Sequence, residues 1–220
     1  MPPVQRALAV EDKEERKQEL LDAVEKLYLK QPDRMPNVAE VADKAGLAKG
    51  TLYLYFPTKE DMLLELHQRH VTHFFTALMK LLSGPGPVTF EHIMSVTRTH
   101  MIRVPGYLAL SSHCFAQMER ETPFESAVAF KAGVAQTLKT AGAALERHFT
   151  TLGEGGGVRI LLHSYGLICG LWQLLHPNER FEKALSRPEL AILRRDYEKE
   201  IENALRALWS GHLTPQGIQP

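Results

Sequence analysis

The sequence of 220 residues predicts an all-α fold of about nine helices. Apolar residues recur at helical spacing along most of the chain, and no alternating strand pattern persists. Glycine and proline clusters at residues 84–87 and 153–157 separate the periodic segments. The hydrophobic content of 44% is sufficient for the cores of one small and one larger domain.

Different sequence signals predict the first two helices. A long amphipathic helix is predicted at residues 13–30, where apolar side chains lie three and four positions apart. Asn37, followed three positions later by Glu40, forms a capping-box pattern that predicts a second helix extending to Ala45. Gly46 is suited to the left-handed conformation that commonly ends a helix.

A third, short helix is predicted at about residues 48–56. Leu52 and Phe56 lie four positions apart and face inward. Pro57 ends this helix because proline cannot donate a backbone hydrogen bond. Two short helices joined by a tight turn are the arrangement that lays a helix in the major groove of DNA. The sequence therefore predicts a helix-turn-helix DNA-binding domain of three helices at residues 1–57.

The outward residues of this segment suit contacts with DNA. Lysines neutralise phosphates, tyrosine hydroxyls donate to phosphate oxygens, and a threonine can meet a base edge. We expect the DNA-binding residues to be Asn37, Lys49, Gly50, Thr51, Tyr53, Tyr55 and Lys59. The alternative is that the two tyrosines only pack against a neighbouring helix. Residues 1–65 carry a net charge of −3, but residues 44–59 contain three lysines and no acid, which favours DNA at this segment.

At these positions the chain resembles the TetR family of transcriptional regulators. The matching residues are Val41, Ala42, Ala45, Gly46, Lys49, Gly50, Thr51, Leu52, Tyr53, Tyr55, Phe56, Lys59 and Glu60. The resemblance is specific over about residues 17–66, and it implies a homodimer that binds a double-stranded DNA operator and a C-terminal domain that binds a small effector. Ala48 departs from the family pattern of serine or threonine, which removes a side-chain cap.

The remaining helices are predicted at residues 59–82, 88–103, 106–121, 123–149, 156–176 and 188–210. Residues 160–175 are apolar nearly all round, so more than one neighbour must cover them. By resemblance, the helices at about 156–176 and 188–210 form the homodimer interface, and the alternative is a purely internal core. Residues 58–220 are thus predicted to be the effector-binding and dimerisation domain.

By resemblance to the family, the middle helices are expected to hold the effector. The expected residues are Met94, Thr97, Met101, Tyr107, His113, Gln117, Phe124, Tyr165, Cys169 and Trp172. Aromatic, sulfur and isolated polar groups together suit a small, mostly apolar molecule, although each could equally belong to an ordinary core. The resemblance implies a repressor that such an effector releases from a palindromic operator by changing the angle of the helix at 59–82.

Catalysis and metal binding are not expected. His67, His70 and His73 recur at three-residue spacing, but they do not form a four-ligand zinc pattern. His113 cannot readily activate Cys114, because adjacent residues on a helix point about 100° apart. We expect no catalytic residue, no metal and no cofactor. The alternative class is an all-helical small-molecule-binding protein or hydrolase that does not act on DNA.

Composition also indicates a cellular location. Two cysteines give no disulfide framework, which fits a reducing compartment. The sequence contains no run of about 18 apolar residues, and its amino end lacks the apolar core of a secretory signal. We therefore expect a cytoplasmic protein with no membrane partner.

Overall fold

The computed structural model describes residues 3–31, 34–177 and 179–213, with side chains left out at 3–12, 116–121 and 179–180. The described chain is helical and contains no strand. Its α-helices are α1 (Pro3–Lys30), α2 (Val38–Lys44), α3 (Lys49–Tyr53), α4 (Lys59–Leu82), α5 (Phe90–Thr97), α6 (Tyr107–Glu121), α7 (Phe124–His148), α8 (Gly156–Leu175), α9 (Glu179–Ala184) and α10 (Tyr197–Leu213). The all-α prediction is confirmed.

Several predicted boundaries were wrong. The predicted helix at 188–210 is divided into a 3-10 turn, Pro188–Leu193, and α10, which begins at Tyr197. The division occurs because the Asp196 carboxylate accepts a hydrogen bond from the backbone N–H of Lys199 at 2.8 Å and so caps a new helix. The predicted helix at 88–103 becomes π-helical over Arg98–Ile102, and α9 was not predicted.

The chain divides into two compact units, of which the first contains the described residues up to Arg69 together with Ala109–Val128. Its buried apolar core is formed by Leu20, Leu21, Ala23, Val24, Tyr28, Val38, Val41, Ala42, Leu52, Phe56, Met62, Leu63, Leu66, Leu110 and Cys114. This unit extends beyond the predicted domain of residues 1–57 because α6 contributes Leu110 and Cys114 to the same core. Arg69 also binds Asp22 at 2.7 Å and Glu25 at 2.6 Å, which fixes α4 against α1.

The second unit contains His70–Leu108 and the described residues from Ala129 onward. Two glycines permit an unusually close crossing of α7 and α8. A Cβ atom added at Gly157 would lie 2.1 Å from the carbonyl oxygen of Gly142. The backbone N–H of Gly157 donates to the Glu146 carboxylate at 3.0 Å, so α7 also provides a partner for the first turn of α8.

Candidate DNA-binding surface and effector-binding cluster

The helix-turn-helix segment begins with a fully capped helix. Asn37 Oδ1 accepts hydrogen bonds from the backbone N–H groups of Ala39 at 2.9 Å and Glu40 at 3.1 Å. The Glu40 carboxylate in turn accepts from the backbone N–H of Asn37 at 2.9 Å. The capping box predicted from the sequence is therefore confirmed, and Asn37 is exposed while its side-chain oxygen is occupied by the cap.

Glu40 stays ionised because its surroundings favour the carboxylate. The backbone hydrogen bond from Asn37 lowers the pKa of Glu40 most, followed by the hydrogen bond from Arg34, and the nearby charge of Lys59 acts in the same direction. Lys59, the first residue of α4, therefore lies close enough to α2 to affect it electrostatically. Thr58 caps α4, since its hydroxyl accepts from the backbone N–H of Asp61 at 2.9 Å.

The turn and α3 follow the predicted pattern, but α3 is shorter than predicted. Gly46 has a φ of 66°, which is the left-handed conformation expected at the end of α2. Helix α3 contains five residues rather than the predicted span of 48–56, and Ala48 at its N-cap makes no side-chain hydrogen bond. Leu52 and Phe56 are completely buried, as predicted, and they hold α3 on the core of the first unit.

The expected DNA-binding residues within α3 and directly after it are exposed to different degrees. Lys49, Gly50 and Tyr53 are exposed, with 48% of Tyr53 accessible. Thr51 and Tyr55 are half-buried, and Tyr55 packs partly against the core of the first unit. The surface therefore offers an ammonium group, a hydroxyl and an open backbone, which are the groups that bind phosphates and base edges.

One exposed residue of this surface was not among the expected contacts. Leu54 directly follows α3 and is 74% accessible, the largest exposure among the bulky apolar residues of the helix-turn-helix segment. The helical spacing of the sequence could have predicted this exposure. Leu54 lies two positions from both Leu52 and Phe56 and so cannot share their buried side.

Seven of the ten expected effector residues belong to the second unit. Met94, Met101 and Tyr107 are buried in its core, where the Tyr107 hydroxyl lies 3.4 Å from the Tyr165 hydroxyl. Thr97 is also buried, and its hydroxyl donates to the Ile93 carbonyl at 2.9 Å. These residues form a mostly apolar cluster in which polar groups are few and hydrogen-bonded.

Two further expected residues lie on α8. Burial raises the pKa of the Cys169 thiol to about 11, while a hydrogen bond with Tyr165 opposes the shift. The Trp172 ring stacks on the His176 ring, with centroids 4.9 Å apart. Because Trp172 is only half-buried, its ring is available both to the core and to the surface of this unit.

The other three expected effector residues do not join this cluster within the second unit. His113 and Phe124 belong to the first unit, where His113 is half-buried and Phe124 is exposed. The side chain of Gln117 lies outside the described residues. Helix α6 contributes Leu110 and Cys114 to the core of the first unit, a long-range contact that helical spacing alone does not reveal.

Cys114, the nucleophile considered for a hydrolase, is placed unfavourably for catalysis. Its thiol is buried and lies 3.8 Å from the Leu63 carbonyl oxygen, to which it donates. Burial raises the pKa of Cys114 to about 12, so the thiol is neutral near pH 7 and is a poor nucleophile. Among the residues that the structure describes, no three His, Cys, Asp or Glu side chains are grouped to hold a metal ion.

Helices α8 and α10 pack against each other and leave apolar side chains outside. The Trp209 indole donates to the Ser164 hydroxyl at 3.0 Å, and the Tyr197 hydroxyl donates to the Ile168 carbonyl at 3.0 Å. Leu162 and Leu174 of α8 are exposed. Within the described residues, α8 also has the length and mean hydropathy, 1.3, of a helix that could cross a membrane, although core helices of soluble proteins share both properties.

Two family matches cover most of the chain. Residues 34–66 match the model for bacterial regulatory proteins of the tetR family, and residues 66–216 match the tetracyclin repressor-like C-terminal domain. The crystal structure of a Mesorhizobium loti MAFF303099 protein assigned to the TetR family of transcriptional regulators superimposes with a TM-score of 0.57. That match covers 90% of this chain and 95% of the other at 16% identity, so it supports the fold alone.

Two curated relatives are similar over shorter stretches. The fatty acid metabolism regulator protein of Bacillus subtilis (strain 168) is 34% identical over 56 residues, which are 26% of this chain and 29% of the relative. The HTH-type transcriptional activator FasR of Mycolicibacterium smegmatis is 30% identical over 70 residues, or 32% of each chain. The matched stretch therefore spans less than a third of the length of either relative.

Proposed function

This chain belongs to the TetR family of transcriptional regulators, and from that premise we propose that it is a repressor that leaves a palindromic operator when a small, mostly apolar effector binds. The family relationship makes it a ligand-responsive DNA-binding regulator and implies that it is not an enzyme. We further propose a cytoplasmic location, residues 1–57 as the DNA-binding domain, and residues 58–220 as the effector-binding and dimerisation domain.

The observation that carries the proposal is the surface of α3. Lys49 and Tyr53 are exposed on a helix that Leu52 anchors to the core. In the proposed complex, Lys49 binds a phosphate, Thr51 meets a base edge, and the Tyr53 and Tyr55 hydroxyls donate to phosphate oxygens. Asn37 and Lys59, at the starts of α2 and α4, extend this contact along the backbone of the DNA.

Dimerisation is proposed through α8 and α10. Leu162 and Leu174 expose apolar surface on α8, and a second copy of the same surface would cover it. A Cβ atom added at Gly166 or Gly170 would meet nothing within 4 Å, so these positions leave room for another helix to approach. Two copies of α3 can then contact two half-sites of one operator.

The effector is proposed to bind beside the apolar cluster of the second unit. Met94, Met101 and Tyr107 provide apolar and aromatic surface, and the hydroxyls of Tyr107 and Tyr165 provide polar contacts. Helix α4 is continuous from Lys59 to Leu82, which supports the proposal that it transmits the signal. The effector favours a conformation in which the distance between the two copies of α3 does not match the spacing of the operator half-sites.

Selection of bound duplexes from a random-sequence library, followed by affinity measurements, tests this function. Wild-type protein is expected to enrich a palindromic duplex. Lys49→Ala should weaken binding to that duplex and reduce the salt dependence by about one counterion per half-site. Lys80→Ala, which removes an exposed lysine of α4 outside the proposed surface, is the matched control. Equal effects of the two substitutions, or the absence of any enriched duplex, would contradict the proposal.

A further inference from the structure

Leu54 is the most exposed bulky apolar residue of the helix-turn-helix segment, and it lies beside the exposed residues Lys49 and Tyr53. We propose that Leu54 contacts the 5-methyl group of a thymine in each operator half-site and so determines part of the base preference. This inference rests on the proposed function, because it requires that α3 lies in the major groove. It adds a specificity-determining residue to the contacts expected from Lys49, Thr51 and Tyr53.

The direction of Leu54 follows from the geometry of α3. Leu54 has φ −74° and ψ −19°, so it continues the helical conformation past Tyr53. Successive residues of a helix are rotated by about 100°, which places Leu54 about 200° from Leu52. Since Leu52 is completely buried and Leu54 is 74% accessible, the accessibilities agree with this rotation. Leu54 therefore lies on the outward side, directly after the last residue of α3.

The residue one helical turn before Leu54 does not cover its side chain. Gly50 lies four positions before Leu54 and hence on the same side of the helix. It has no side chain, and a Cβ atom added there would meet nothing within 4 Å. A flat molecular edge can therefore approach the backbone at Gly50 and reach the Leu54 side chain in the same contact.

The charge around Leu54 favours DNA over a protein partner. Residues 44–59 contain three lysines and no acidic residue, so the surface attracts a polyanion. On the base edges of the major groove, the apolar group is the thymine methyl. Leu54 can bury that methyl, whereas it can form no hydrogen bond with guanine, cytosine or adenine.

Replacement of thymine by uracil removes only the methyl group and tests the contact directly. The probe is the duplex that wild-type protein enriches from a random-sequence library, with each thymine replaced by uracil in turn. For wild-type protein, uracil at the contacted position should weaken binding about fourfold in one half-site and about fifteenfold in both, from the loss of one buried methyl per half-site. Leu54→Ala should bind the thymine and uracil duplexes with equal affinity.

Two control variants test whether the uracil effect depends on Leu54. Leu29→Ala removes another exposed leucine of the same unit, 42% accessible on α1, and should retain the full preference for thymine. Thr51→Ser removes the other methyl group of α3 that could meet thymine, and it too should retain the preference at the position assigned to Leu54. Thermal melting monitored by circular dichroism should show that Leu54→Ala keeps the wild-type fold.

Each other outcome overturns the inference. Loss of the uracil effect in Thr51→Ser but not in Leu54→Ala would assign the methyl contact to Thr51. A wild-type protein that is indifferent to uracil at every position, or a Leu54→Ala variant with unchanged affinity for all duplexes, would show that Leu54 makes no thymine contact. Failure to enrich any duplex would overturn this inference together with the proposed function.

Discussion

Helices α2 and α3 are neighbours of similar length, yet their ends are held in different ways. The seven residues of α2 begin at a complete capping box between Asn37 and Glu40. The five residues of α3 begin at Ala48, which provides no side-chain cap. Helix α2 is therefore specified largely by its own sequence, while α3 depends on the burial of Leu52 and Phe56. The helix proposed to contact DNA is the one that receives less support from local hydrogen bonds.

The largest expected effect is on the anchor of α3. Leu52→Ala removes a completely buried side chain and should lower the free energy of unfolding by about 2–5 kcal/mol in urea denaturation. Leu54→Ala, on the exposed side of the same helix, should change the free energy of unfolding by less than about 0.5 kcal/mol. Similar losses in the two variants would contradict the burial-based account of α3.

A smaller effect is expected at the cap of α2. Asn37→Ala removes the oxygen that accepts from Ala39 and Glu40, and it should lower the free energy of unfolding by about 1 kcal/mol. Asn37→Asp retains an acceptor oxygen and should retain most of the stability. If alanine and aspartate at this position gave the same urea midpoint, the capping box would not stabilise α2.

The converse substitution tests the missing cap of α3. Ala48 has φ −69° and ψ 143°, the extended conformation of an N-cap residue. Ala48→Ser can therefore add a hydroxyl acceptor without changing the backbone, and it should raise the free energy of unfolding by about 0.5–1 kcal/mol. A decrease in the urea midpoint would indicate that another feature already satisfies the first turn of α3.

The smallest expected effect is a pH dependence of the protein's stability that arises from Glu40. Its pKa is lowered from an ordinary value of 4.5, mainly by the backbone N–H of Asn37 and then by Arg34. A lowered pKa means that the ionised carboxylate contributes stability above pH 4.5 and loses it as the pH falls through the folded-state value. Glu40→Gln keeps a hydrogen-bond acceptor but no charge. The melting temperatures of wild type and variant should differ slightly at pH 7 and converge as the pH falls below the folded-state pKa of Glu40.

The sequence predicted the helix-turn-helix segment well because its signals are local. Asn37 with Glu40, Gly46, and the pair Leu52 and Phe56 each determine structure through neighbours within four positions. The continuous helix from Lys59 to Leu82 was predicted with its observed bounds for the same reason. The extent of α3 was overestimated, because Tyr55 and Phe56 continue the apolar spacing beyond the last residue of the regular helix.

The second half of the chain was predicted less well because its arrangement depends on long-range packing. The family resemblance grouped His113 and Phe124 with Met94 and Tyr107 as effector residues, and the structure assigns these two pairs to different compact units. The break before α10 depends on one capping carboxylate, Asp196, within an otherwise helical pattern. The division into units cannot be deduced without knowing which helices are in contact, whereas the Asp196 cap is a local signal within an otherwise helical pattern.

Hydrogen exchange of the backbone amides, with and without an enriched duplex, tests the central claim that α3 is the DNA-binding helix. Duplex binding should slow exchange in peptides covering residues 48–56 and should have no such effect on α8, at residues 156–175. The change in the already capped α2 should be smaller. Unchanged exchange at residues 48–56 under conditions where the duplex is fully bound would contradict the claim.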